Sequence, residues 1–170
     1  MAKAKTKKEL GTVESCECRD CVGACKSKPG WFSPDQMPLL EKHFGMPLKE
    51  VFRKYLAVDW LQSVYNEETG EYRDVFNLAP ANDRSPAGGM YAGNPRGVCV
   101  FLEKGKCTIH DVKPKECAEA FHSMTSKESV ENHQAIGREW NTEEFQQLVR
   151  EVLGEEPEAE SYSIFESFTW

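Results

Sequence analysis

The chain has 170 residues, enough for one domain with a modest hydrophobic core and too few for two comfortable ones. Hydrophobic residues make up 39% and charged residues 29%, and a mean hydropathy of -0.60 without a long apolar run argues against a membrane span. The formal net charge of -7 argues against nucleic acid as the main partner, because phosphate binding requires a basic face.

The N-terminal segment is basic but lacks the features of a secretion signal. Residues 1–8 contain four lysines and are followed by Glu9 rather than by an apolar run. We therefore expect a cytoplasmic protein in which residues 1–15 form a disordered basic tail. In a reducing cytoplasm, the odd number of seven cysteines is better explained by metal binding than by a disulfide framework.

The first group of cysteines lies near the N-terminus. Its members are Cys18, Cys21 and Cys25, and we call them the N-terminal triplet. Cys18-x2-Cys21 is the spacing at which a tight turn directs two sulfurs to one point. Gly23 should then let the backbone approach the site closely on the way to Cys25. Cys16 lies outside the triplet, and we expect it to remain free of metal.

Two helices are predicted after the N-terminal triplet. Ser33 with Gln36 three residues later, and Pro34 between them, forms a capping box that starts the first helix. This helix should end at residues 43–45. A second helix starts at Pro47, and its apolar residues follow a helical stripe that we assign to the core, namely Leu48, Val51, Phe52, Tyr55 and Leu56.

A β-hairpin and a long loop are predicted next. Residues 60–65 and 71–78 flank a turn that contains Gly70, as in a β-hairpin. Residues 79–96 contain three prolines and three glycines with little apolar content. This composition predicts a surface loop, and the loop is long enough to cover a metal site.

The second group of cysteines lies in residues 97–117. Its members are Cys99, Cys107 and Cys117, and we call them the central triplet. Apolar residues on both sides of a turn at Gly105 predict a second β-hairpin. Such a hairpin would bring Cys99 and Cys107 onto neighbouring strands.

A short helix is predicted at the end of the central triplet. Pro114 suits the first turn of a helix, where its missing N–H costs nothing. Cys117 would then lie near the positive end of the helix dipole, with Lys113 and Lys115 close in sequence. Cys117 is therefore predicted to be a metal ligand or a thiol of low pKa.

The remaining third of the chain carries one clear helix. Residues 123–132 are polar and weakly patterned, so loop and helix both stay open. Asn141 and Glu144 form a capping box, and Gly154 ends the helix that follows. Residues 155–170 start as an acidic linker and end with five large apolar side chains, which we expect to dock on the protein itself or on a protein partner.

The two triplets offer six thiols, whereas zinc and iron–sulfur clusters both take four. Three alternatives stay open: two spare thiols, a sulfur-bridged pair of metals, or a coordination position exchanged during function. Zinc is favoured because it needs no assembly machinery. An oxygen-labile iron–sulfur cluster is favoured because each group has three cysteines rather than two, and because the loop at residues 79–96 could shield it. We take Zn²⁺ as the first expectation and a 4Fe-4S cluster as the second.

The cysteine pattern resembles the YkgJ-type cysteine-cluster family, described as a zinc- or iron-chelating domain. The resemblance covers residues 16–122. It rests on the motifs Cys18-x2-Cys21-x3-Cys25, Cys99-Val-Phe-Leu, Cys107-Thr-Ile and Lys113-Pro114-x2-Cys117. It implies that the metal ligands are Cys18, Cys21, Cys25, Cys99, Cys107 and Cys117.

This chain departs from the family at three positions. The family often has a second cysteine at the position of Ala24, an arginine at Ala118 and a tyrosine at His110. His110 has a ligand-like spacing to Cys107, but an imidazole in place of a tyrosine is expected to pack beside the site rather than to ligate. The other three histidines are expected to be surface or core residues; they are His43, His122 and His133.

The sequence therefore predicts a small α+β domain whose short helices and β-hairpins pack around a cysteine metal site. We divide the chain into the tail 1–15, a cysteine-cluster domain 16–122, a helical extension 123–154 and the linker with apolar tail 155–170. The expected function is that of a small cytoplasmic metal-binding protein. The alternative is a redox or modifying enzyme that uses an exposed 4Fe-4S cluster or a reactive cysteine such as Cys16. The question of enzymatic activity stays open, because no Ser-His-Asp order, phosphate-binding glycine loop or carboxylate pair stands out.

Overall fold

The computed structural model describes residues 19–92, 96–120 and 124–159, and at residues 19–21 it describes only the backbone. Within these ranges there are six α-helices and two two-stranded antiparallel sheets. The helices are α1 (Arg19–Ser27), α2 (Met37–Phe44), α3 (Leu48–Tyr55), α4 (Lys115–Glu119), α5 (Ser126–Glu139) and α6 (Glu143–Leu153). The strands are β1 (Leu56–Asn66), β2 (Glu71–Pro80), β3 (Leu102–Glu103) and β4 (Lys106–Cys107). The predicted α+β class is confirmed.

The hairpin of β1 and β2 is the support on which the helices pack. It pairs from Leu56 opposite Pro80 to Asn66 opposite Glu71, and its turn ends at Gly70 with φ of +72°. The predicted hairpin is thus confirmed, but β1 begins four residues earlier than expected. Residues 56–60 are buried, so this part of the strand lacks the polar alternation of a strand with one solvated face. Leu56 consequently starts β1 instead of closing the helical stripe.

Both predicted helices after Trp31 are confirmed. The backbone N–H of Ser33 donates to Gln36 Oε1 at 3.0 Å, which completes the capping box of a 3₁₀ turn (Pro34–Gln36) ahead of α2. Pro38 is accommodated because it occupies the second position of α2, where the helix has no internal acceptor for an N–H. Gly45 ends α2 with φ of +64°.

For residues 123–132 the sequence left loop and helix open. Their described part is largely helical, because α5 begins after Thr125. The Thr125 hydroxyl accepts the N–H of Glu128, whose side chain reaches back to Thr125 N–H. The next helix, α6, ends at Gly154 as predicted, but its N-cap is Thr142 rather than Asn141. Asn141 is instead buried, and its amide donates to Tyr65 O at 3.0 Å.

One hydrophobic core joins the helices to the β1–β2 hairpin. Its largest fully buried side chains include Trp31, Phe32, Trp140 and Tyr91. The indole N–H of Trp140 donates to Phe32 O at 2.7 Å, so the chain after α5 is fixed directly to the segment before α2. The core also includes residues of the central triplet segment, namely Cys99, Phe101 and Ile109.

The segment after β2 is not the surface loop that its composition predicted. Among its described residues, Ala81, Asn82, Ser85 and Tyr91 are at most 5% exposed. These residues stay buried because backbone polar groups of the segment are paired: Asn82 N–H donates to Ser85 O at 3.0 Å, and Tyr91 N–H to Val58 O at 2.7 Å. Across residues 19–92, 96–120 and 124–159, no helix has the length and apolar character needed to cross a membrane.

Candidate metal centre

Four cysteines in the described part of the chain come from four separate segments that pack against the core. Cys25 lies on α1, Cys99 precedes β3, Cys107 ends β4, and Cys117 lies on α4. The backbone N–H of Cys99 donates to Cys25 O at 2.8 Å, which fixes α1 against the segment before β3. The structure thus places a member of the N-terminal triplet beside the central triplet, at a separation of more than 70 residues in sequence.

The ionisation of each thiol depends on its neighbours. Burial raises the pKa of Cys99 to about 12, with further contributions from the charges of Cys25 and Cys107. Burial also raises the pKa of Cys117, to which Cys25 and Cys99 again contribute, and that of Cys25, to which Cys107 contributes. These Coulomb contributions link Cys25 to each cysteine of the central triplet.

Backbone N–H groups contribute to the ionisation of three of the thiols. They belong to Phe101 and Leu102 for Cys99, to Ile109 for Cys107 and to Gly30 for Cys117. Each such hydrogen bond lowers the pKa of its thiol but is outweighed by burial. Hydrogen bonds to sulfur are the contacts that support thiolate ligands in metal sites.

Gly30 allows the close approach of the backbone to Cys117. A Cβ atom at position 30 would lie 2.8 Å from Cys117 Sγ and 3.0 Å from Glu116 Cβ. Real Cβ atoms do not reach such distances without displacement of a neighbour, so a glycine is required here for steric reasons. Sequence inspection missed this role, since Gly30 reads as an ordinary turn residue after Pro29.

Two further side chains shape the electrostatics of the site. Lys113 lowers the pKa of Cys25 and Cys107, although burial keeps both raised. Tyr91 is buried beside the thiols, and burial, together with the charges of Asp59, Cys99 and Cys117, raises its pKa. Its hydroxyl donates to Pro80 O, so it is held by the end of β2.

The thiols fit a soft metal by their chemistry, because four sulfurs form the donor set of zinc and iron–sulfur sites. They are neighbours rather than a closed ligand shell: in the described ranges, no three His, Cys, Asp or Glu side chains are gathered tightly enough to hold a metal ion. The backbone of Cys21 lies one helical turn before Cys25 on α1. Cys16 and Cys18 lie outside the described residues.

Three local expectations about these cysteines are corrected by the structure. Gly23 was expected to allow a close approach of the backbone, but it lies within α1 and a Cβ atom there would have no neighbour within 4 Å. The turn predicted at Cys18-x2-Cys21 begins outside the described residues. The predicted hairpin at Gly105 exists as β3 and β4, but Cys99 lies before it and forms an isolated bridge with Asn82.

The third correction concerns the reactivity of Cys117. The residue lies near the start of a helix that follows Pro114, as predicted. Its pKa is nevertheless raised, because burial outweighs the helix dipole and the neighbouring lysines. Cys117 is therefore not a thiol of low pKa in this environment.

The histidines occupy different environments. His110 lies half-buried in a 3₁₀ turn (His110–Val112) three residues after Cys107. His133 was expected only to be a surface or core residue, yet its Nδ1 lies 2.8 Å from Glu116 Oε1 and its ring centroid 3.6 Å from that of Trp31. His43 lies exposed on α2, and His122 falls outside the described residues.

No protein-family model, curated protein or solved structure matches the chain. The resemblance to the YkgJ-type family therefore remains a prediction from the cysteine motifs.

Proposed function

We propose that the protein is a cytoplasmic metal-binding protein that holds a soft metal centre through its two cysteine triplets. Zinc is the first candidate and a 4Fe-4S cluster the second. The observation that carries the proposal is the placement of Cys25, Cys99 and Cys107, which come from three segments far apart in sequence: Cys99 N–H donates to Cys25 O at 2.8 Å, and Cys107 pairs with Leu102, three residues after Cys99. Burial raises the pKa of these thiols and of Cys117.

A metal explains why N–H groups face buried sulfurs. A neutral thiol behaves as a small hydrophobe and needs no hydrogen-bond donor. A thiolate needs such donors, but its burial is unfavourable without a positive partner, which is the reason that the thiol pKa values are raised. A bound cation supplies that charge and deprotonates its thiol ligands.

The same pKa values weigh against a reactive-cysteine enzyme at these four positions. A nucleophilic thiol requires a lowered pKa and access to solvent. Burial instead raises the pKa of Cys25, Cys99, Cys107 and Cys117. The proposal of a resident metal therefore takes precedence over the alternative of a redox or modifying enzyme that uses one of them.

In this proposal the ligands are drawn from the six cysteines of the two triplets. The assignment of Cys25, Cys99, Cys107 and Cys117 is supported by the packing of their segments against one another, and Cys18 and Cys21 would extend the site at the start of α1. Zinc would cross-link these segments, whereas an iron–sulfur cluster would add one-electron chemistry.

The first test is purification under anaerobic conditions with metal and sulfide analysis. About one zinc per chain in colourless protein supports zinc, and iron with acid-labile sulfide and absorbance near ~400 nm supports a cluster. Protein that contains neither, and that takes up neither on reconstitution, contradicts the proposal.

The second test compares single Cys→Ser variants. We expect Cys99→Ser, Cys107→Ser and Cys117→Ser to lose most of the bound metal, because each removes a sulfur from the converging set. Cys16→Ser is the matched control and should keep it. Equal loss in Cys16→Ser and Cys107→Ser would show that the ligand assignment is wrong.

A further inference from the structure

A cleft lies beside the cysteine site, between the segment after α1 and the outer face of α5. Its lining includes Lys28, Gly30, Glu116, Ser129 and His133, and its volume is about 300 Å³. This is the lower limit of the volumes at which proteins bind small molecules. The cleft is separate from the thiols, although Gly30 brings its floor next to Cys117.

His133 is held in this cleft by two contacts. Its Nδ1 lies 2.8 Å from Glu116 Oε1, and the other oxygen of that carboxylate accepts the N–H of Trp31 at 2.7 Å. The imidazole also lies against the Trp31 ring, with 3.6 Å between the centroids. In the neutral imidazole, donation from Nδ1 to the Glu116 carboxylate leaves Nε2 as a hydrogen-bond acceptor. In the described part of the chain, no hydrogen bond occupies that nitrogen.

Lys28 provides a positive charge in the same cleft. Its Nζ lies 3.3 Å from Asp59 Oδ2 and 5.5 Å from the centroid of Trp31, and its side chain is 36% exposed. Asp59 is fully buried and also accepts the indole N–H of Trp31 at 2.7 Å. An ammonium group has three donors, so Lys28 can bind a ligand anion while it keeps Asp59.

We propose that this cleft binds a small hydroxycarboxylate, whose carboxylate pairs with Lys28 Nζ and whose hydroxyl donates to His133 Nε2. A carboxylate alone would leave the imidazole acceptor unused, and a neutral alcohol would not use the N–H donors of Lys28 that Asp59 leaves available. The exposed Val130 adds an apolar wall suited to a short carbon chain. The proposal does not depend on a bound metal.

The test is an NMR titration of the protein as purified, observed at the imidazole resonances of His133. The probes are glycolate, 3-hydroxypropanoate and 4-hydroxybutanoate. Each is compared with the acid of equal chain length that lacks the hydroxyl. We expect at least one hydroxy acid to shift the His133 resonances saturably, with a dissociation constant of about 1 mM, and its matched acid to bind at least tenfold more weakly.

Two variants separate ligand binding from a purely structural role. His133→Asn keeps an N–H that can donate to Glu116 but removes Nε2, and Lys28→Gln keeps a donor for Asp59 but removes the charge. Binding to these variants is followed by calorimetry, and both should lose at least tenfold in affinity, whereas Lys28→Arg should retain binding. Lys127→Gln on the exposed face of α5 is the matched control and should bind as the parent chain does.

The proposal is overturned if none of the hydroxy acids exceeds its matched acid, or if His133→Asn binds as well as the parent chain. Circular dichroism and metal content, compared with the parent chain, verify that each variant has folded. A variant that keeps its metal but loses the hydroxy acid supports the cleft independently of the metal centre. If the parent chain contains no metal but still binds the hydroxy acid, only the proposed function is contradicted.

Discussion

Gly30 is the position at which one added methyl group should disturb the site most directly. In Gly30→Ala the new Cβ would lie 2.8 Å from Cys117 Sγ and 3.1 Å from Cys117 N, so backbone or sulfur has to move. We expect a destabilisation of about 1–3 kcal/mol, the usual cost of overpacking, and a lower metal content. Denaturant unfolding and metal analysis measure the two effects.

Gly23→Ala is the matched control for this substitution. Gly23 lies within α1, and a Cβ atom there has no neighbour within 4 Å. Alanine should stabilise this helix by about 0.5–1 kcal/mol relative to glycine and leave the metal content unchanged. If both variants behaved alike, the steric role of Gly30 would be refuted.

The cysteines of the candidate site are a prediction from sequence, and most of their neighbours came only from the structure. Spacing and order singled out Cys25 and Cys107 without any structure. Gly30 and Glu116 reach the site because distant segments pack together: Trp31 O, for example, accepts the N–H of Glu116 at 3.3 Å. A contact between residues that are 85 positions apart produces no periodic sequence pattern in either segment.

Among the helices, α5 depends most clearly on its N-cap. Of its 14 residues only Ile136 and Gly137 are buried, so packing contributes little along most of its length. Thr125→Ala removes the side-chain acceptor for Glu128 N–H and should cost about 1 kcal/mol. We expect faster amide hydrogen exchange in the first turns of α5, measured by NMR.

Thr125→Ser is the control for this prediction, because serine provides the same acceptor. It should restore most of the lost protection. Protection that is equally low in both variants would mean that the hydroxyl does not cap α5.

Element prediction succeeded where local rules determine the structure. The capping box at Ser33 and the terminal glycines of α2 and α6 are short-range signals, and the structure confirms them. Helix α5 was left open because it buries so few side chains that its apolar pattern is weak. The first part of β1 was misassigned because Leu56 continues the apolar spacing of α3, and only pairing with Pro80 makes it a strand.

At the scale of the molecule, the sequence predicts that two distant groups of cysteines act together, and the structure places one member of the first group, Cys25, next to Cys99 of the second. The connection is made by backbone hydrogen bonds between α1 and the segment before β3, including Gly97 N–H to Ser27 O at 2.7 Å. The burial of the thiols then depends on the packing of the whole core. The same burial reverses the ionisation expected for Cys117 from its local sequence.

Two parts of the molecule should respond differently to metal removal. The β1–β2 hairpin and α6 are tied together away from the thiols, because the Gln146 side chain accepts Phe76 N–H at 3.0 Å and donates to Phe76 O at 2.9 Å. By contrast, α1, the β3–β4 hairpin and α4 meet at the cysteines. These three elements are short, so each has few contacts to replace a lost metal.

Chelation of the metal should therefore lower the melting temperature by many degrees and loosen the cysteine-bearing elements first. Structural zinc contributes about 10 kcal/mol or more to the folding of small peptides, which is comparable to the whole stability of a domain. We expect amide exchange to accelerate in α1 and α4 before it does in β1, β2 and α6, and added zinc to restore protection. An apo protein that melts with the holo protein, or that opens uniformly, would show that the metal does not hold these segments together.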